Sequence, residues 1–237
     1  MKLEETLGEK GDIFNIQRSR ITAIMTLILL VLALSACLAG IFIERIYKDV
    51  LSVGTITKLL LVGSRAQDII SIPLALLLTL LSVLFLKRRG YKTFITIIGL
   101  TVYFFYGYGL YVMQGQYTSI YLIYLVIFGL SIYSIVLGLL SFTPKLIIKA
   151  SIPKALRISI SIFLYSIVLI LGLVWLFRIT PDISRHIPQD TYGVFILDLE
   201  IVFPAISIIA TKLIWNKSFG NILAGVALMK VFTVCLS

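Results

Sequence analysis

The chain has 237 residues, of which 59% are apolar and 14% charged, with a mean hydropathy of +1.06. That leaves too little polar surface to cover a water-facing globule, so the chain reads as an integral membrane protein without a soluble domain. The net charge of +10 does not point to nucleic acid, because the Lys and Arg residues stand between apolar runs and do not share one polar face.

Residues 1–20 are polar and mixed in charge, without apolar periodicity, and are expected to form a flexible tail. Ile21 to Ile43 is uncharged and long enough to cross a bilayer, which takes roughly 20 apolar residues. A polar connector from Glu44 to about Arg65 follows. Its semi-apolar stretch Ile56 to Val62 is too short to span and reads as a half-buried loop or an interfacial helix.

Six further runs, Ile69–Leu86, Thr93–Met113, Ser119–Leu140, Leu156–Phe177, Gly193–Thr211 and Phe219–Leu236, complete an expectation of about seven transmembrane helices. They are continuous and not alternating, which argues against a barrel. Their connectors carry the breakers Arg88-Arg89-Gly90, Gly115-Gln116, Thr143-Pro144, Thr180-Pro181 and Ser218-Phe219-Gly220.

With a cytoplasmic N-terminus, fourteen Lys and Arg residues fall on the inner side and six on the outer, which sets the expected orientation. The protein is then expected in an inner or plasma membrane. Leu34-Ser35-Ala36-Cys37 resembles a lipobox, but the apolar run continues past Cys37, and both Cys37 and Cys235 are read as free thiols. Asn216-Lys217-Ser218 matches a glycosylation acceptor, yet it falls on the cytoplasmic side.

Shifting the chain by 130 residues lays Asp68 on Asp198, Ala75 on Ala205, Lys87 on Lys217 and Gly90 on Gly220, with Pro73 and Pro204 one residue out of register. The order acid, proline, basic turn, glycine suggests a parallel repeat of four helices whose second copy lacks its last helix. Either a truncated eight-span parent or a seven-span protein fits. Gln67-Asp68, the Lys87-Arg88-Arg89-Gly90 turn, the run Tyr103-Phe104-Phe105-Tyr106-Gly107-Tyr108, Tyr121-Leu122-Ile123-Tyr124 and Leu197-Asp198 ahead of Pro204 resemble an uncharacterised family of prokaryotic multi-pass membrane proteins. The resemblance covers about residues 21 to 237. It implies the same topology and brings no established activity, cofactor or catalytic residue.

Ionisable residues inside spans are costly unless paired or hydrated, which makes Asp68, Asp198, Glu200 and Lys230 the candidate substrate or ion-binding residues. Asp198 lies roughly 10 Å deep from one side and Lys230 roughly 12 Å from the same side at 1.5 Å per residue, so a salt bridge from Lys230 to Asp198 or Glu200 is expected. Two residues apart, the two acids cannot face one partner. Asp68, three residues after Arg65, reads as a surface pair or a helix N-terminal charge. Tyr103 and Tyr106 are the deepest of a tyrosine cluster and are expected to line an outward-facing cavity with Asp68 and Asp198. His186 reads as a solvated loop residue. Catalytic signatures, metal-ligand spacing and cofactor motifs are missing, so no cofactor, metal or catalytic residue is assigned.

The expected partners are the lipid bilayer and a small polar solute or lipid, with no nucleic acid; the sequence does not fix the oligomeric state. Binding or translocation of such a ligand is the leading reading. A structural or regulatory membrane subunit without substrate and an intramembrane lipid-modifying enzyme are the alternatives.

Overall fold

The computed structural model describes residues 14–54, 56–143, 152–187 and 189–234, which are almost entirely helical. In chain order the helices are α1 (Ile16–Phe42), α2 (Arg45–Val53), α3 (Lys58–Arg88), α4 (Tyr91–Met113), α5 (Tyr121–Leu139), α6 (Lys154–Arg185), α7 (Tyr192–Ile214) and α8 (Ser218–Val234). All but α2 and α8 are long and apolar enough to cross a membrane, so six candidate spans make this a multi-pass architecture. α8 is apolar but runs for 17 described residues, and the expected end of that span, with Cys235, lies outside the described residues.

Helix ends depart from the edges of the apolar runs. α1 starts at Ile16, inside the stretch expected to be a tail, because the Asn15 side chain caps it by accepting from Arg18 N–H at 3.0 Å. The backbone N–H of Asn15 donates to Ser141 O at 2.8 Å, and Phe14, Phe85, Phe94 and Phe142 stack around that junction. α3 starts at Lys58, capped by Thr57, so the Ile56–Val62 stretch is chiefly the first turns of a 31-residue helix. Thr180-Pro181 does not break α6. Proline costs one backbone bond there, and the helix runs on to Arg185 and stops at His186 in the left-handed conformation. Thr143 is described, but Pro144 lies outside the described residues.

α4 is the axle. It packs against α3 and α5 on one side and α8 on the other, and most of its apolar window is buried. α1 completes a four-helix group by packing on α3 and α5; α7 packs on α8 and α6, and α6 is the most exposed of the six long helices. Two cores result: one between α1, α3, α4 and α5, and one between α4, α6, α7 and α8. α2 lies across the end of the first core and buries Ile46, Tyr47 and Val50, while its charged residues face outward.

Candidate functional site

The sequence-predicted polar residues divide between the two cores and do not meet in one cavity. Asp68 is 2% exposed. It sits ten residues inside α3, so neither a surface pair nor a helix N-terminal charge describes it, and Arg65 points outward. Its Oδ2 accepts from Tyr47 of α2 at 2.6 Å, and its Oδ1 stands 3.3 Å from the hydroxyl of Tyr111 in α4. Gly40 of α1 makes this contact possible, since a Cβ there would run into Asp68 Oδ2 and the Tyr47 hydroxyl. Burial, then the nearby Asp68 carboxyl, push the Tyr47 phenol above its ordinary range, so it stays a donor.

The same core holds a second tier. The Tyr103 hydroxyl pairs with Ser71 at 2.9 Å, the Tyr108 hydroxyl donates to Ala33 O at 3.2 Å, and the Cys37 thiol lies 3.5 Å from Tyr108. Ser64 donates to Gln116 at 3.1 Å. Tyr103 is thus a partner of α3 on the same side as Asp68.

Tyr106 belongs to the other core. Lys230 of α8 is 4% exposed and places Nζ 3.1 Å from the centre of the Tyr106 ring, a cation–π contact at close range. Asp198 of α7 accepts from the indole N–H of Trp175 at 2.9 Å, lies where it can accept from the Tyr106 hydroxyl, and attracts Lys230 electrostatically. Glu200 is exposed on the outer side of α7 and takes no part.

Residues Leu197 to Val202 form a π-helical segment in which Phe203 N–H bonds Asp198 O, five residues back. This wide turn makes room for the ring of Pro204, which would otherwise crowd the Glu200 carbonyl, and it separates buried Asp198 from exposed Glu200. The sequence does not mark Tyr47, Tyr111, Cys37 or Trp175 as a site residue. The spacing of Ile46, Tyr47 and Val50 between charged residues is the one signal that marks α2 as an amphipathic cover.

Beside the second polar group runs an apolar groove of about 380 Å³ between α4, α5, α7 and α8, whose lining includes Phe105, Ile135, Ala205, Val226 and, as its one charged residue, Lys230. A cavity of about 390 Å³ adjoins it through Ile208, Ile209 and Leu223 and opens at the α7–α8 turn beside Lys212 and Lys217. Among the described residues no cluster of His, Cys, Asp and Glu is arranged to hold a metal. No protein-family model, curated protein or solved structure matches this chain.

Proposed function

We propose that this multi-pass membrane protein binds an anionic phospholipid, with one acyl chain in the groove between α4, α5, α7 and α8 and the headgroup at Lys212 and Lys217. The apolar groove ending in basic residues carries this reading. Its lining is that of a hydrocarbon site, which favours a lipid over a small polar solute. From Lys217 to Lys230 is thirteen residues of helix and turn, roughly 18–20 Å at 1.5 Å per residue. That is comparable to one leaflet of a core ~30 Å thick. Two lysines at a membrane interface suit an anionic headgroup.

The reading includes seven spans, a cytoplasmic N-terminus in an inner or plasma membrane, and a parallel repeat. The packing of α1 on α3 and α3 on α4 has a counterpart in α6 on α7 and α7 on α8. With that orientation the lysine end of the groove meets the inner leaflet, where anionic headgroups attract basic residues. A structural subunit without a ligand is the second reading, favoured by the way Asp68 and Asp198 are hydrogen-bonded inside the cores.

The test is photo-cross-linking in lipid nanodiscs with two diazirine phospholipids of identical tails, one anionic and one zwitterionic. Labelling should concentrate on α7 and α8 around Ala205 and Leu223, run several-fold higher with the anionic lipid, and be lost in Ala205→Trp. Lys212→Gln with Lys217→Gln should equalise the two lipids. Uniform labelling of every lipid-facing helix would support the ligand-free reading.

A further inference from the structure

Asp68 presents a proton-counting problem. The Tyr111 hydroxyl has one hydrogen but two oxygens in reach, Ser64 O at 3.0 Å and Asp68 Oδ1 at 3.3 Å. A backbone carbonyl can only accept, and Ser64 O is the nearer of the two acceptors open to the Tyr111 hydrogen, so we assign that hydrogen to Ser64 O. The remaining contact then needs its hydrogen from Asp68. On the other oxygen, Tyr47 donates at 2.6 Å and its hydroxyl hydrogen is used.

The charges around the site agree. The groups facing Asp68 are the Cys37 thiol from α1 and the phenols of Tyr47 from α2, of Tyr103, Tyr108 and Tyr111 from α4, and of Tyr124 from α5. None carries positive charge, and Arg65, one turn away on α3 itself, is exposed. Lys48 pairs with Glu44 on the exposed surface at the start of α2. A buried carboxylate with no cation beside it is strongly disfavoured and is relieved by taking up a proton. The Tyr124 hydroxyl, on a residue 1% exposed, and the Thr118 hydroxyl of the α4–α5 loop, 6% exposed, are both buried, and neither makes a hydrogen bond of normal length although the two lie near enough to interact. The Tyr124 ring packs on Tyr111 with centroids 5.0 Å apart, and its hydroxyl interacts with Thr118 of the loop, with Tyr47 and with the Asp68 carboxyl, so these hydroxyls link Asp68 to the loop, where a proton-carrying water would find partners.

We propose that Asp68 is an intramembrane proton-binding site: a neutral carboxylic acid that donates from Oδ1 to Tyr111, accepts at Oδ2 from Tyr47, and exchanges its proton with water at the α2 end of the bundle. When the acid O–H bond breaks, the proton leaves as hydronium past Tyr124 and Thr118, and the electron pair stays on the carboxylate. The lipid groove lies in the other core, so this site stands independently of the lipid reading.

Infrared spectroscopy of the full chain in lipid nanodiscs at neutral pH tests it. A carboxylic-acid C=O band should be present, fall in frequency in D2O, disappear in Asp68→Asn, and fade reversibly at alkaline pH. Tyr111→Phe should keep the band and move it to higher frequency, because the acceptor of the acid proton is gone; that variant decides the matter if Asp68→Asn does not fold. A wild-type spectrum without the band, a band untouched by Asp68→Asn, or one unmoved by Tyr111→Phe would overturn the proposal. So would a carboxylate band that shifts when sodium replaces potassium, which would make the site one for a metal cation.

Discussion

Lys230 and Asp198 come from helices α8 and α7 and share Tyr106 as a neighbour, and Asp198 also accepts from the Trp175 indole. If their attraction holds α7 and α8 together, Lys230→Met alone strands the Asp198 charge in the core. That should cost about 1–3 kcal/mol, the usual penalty for a buried polar group that has lost a partner. Lys230→Met combined with Asp198→Leu removes both charges and should unfold at a higher temperature than the single variant. Thermal unfolding in detergent measures this; a double variant less stable than either single would show that the two residues act independently. At this scale the sequence was half legible. That Asp198 and Lys230 lie in apolar runs marks them as buried, whereas Asp68, one residue ahead of its run, reads as a surface charge, and the partners of all three are fixed by packing. Asp68 is contacted from α2, 21 residues upstream, and from α4, 43 residues downstream, and no local pattern announces either.

At the α7–α8 turn a glycine lets two stretches of backbone meet. A Cβ on Gly220 would collide with the backbone of Lys212 and Leu213, and Asn216 adopts a left-handed conformation to turn the chain. Gly220→Ala should therefore destabilise by about 1–3 kcal/mol, as overpacking does. Gly63 is exposed in α3 with nothing near its missing Cβ. Gly63→Ala should stabilise by about 0.5–1 kcal/mol through helix propensity alone. Opposite signs in thermal unfolding check the pair, and equal signs would contradict the packing. The runs located the helices because hydrocarbon enforces an apolar stretch of fixed length. They missed the helix ends because outside hydrocarbon a helix continues as long as its backbone bonds and caps allow. Capped by Thr57, α3 starts eleven residues before the expected run, and α6 passes Pro181 and ends eight residues beyond Phe177.

For the whole molecule, the expected orientation is testable from outside. Cysteines at Lys87 and Lys149 should react with membrane-permeant reagents alone, and a cysteine at His186 should react with impermeant ones; the reverse pattern would move the lysine end of the groove to the outer leaflet. Composition and charge placement made the membrane architecture legible, since they reflect the solvent in which the chain folds. The division of the bundle into two cores was not legible. It depends on which faces of α4 meet α3 and α5 and which meet α8, and α4 is apolar all round. The expected single cavity containing Tyr103, Tyr106, Asp68 and Asp198 fails for that reason: Tyr103 faces Ser71, and Tyr106 faces Lys230. The most direct measurement of the lipid reading is an electron-microscopy density map of the protein in nanodiscs of native lipid. It should show one continuous acyl-chain density along α7 and α8, from Lys212 and Lys217 towards Lys230. A groove closed by its own side chains, or filled by lipid no better ordered than the surrounding annulus, would contradict it.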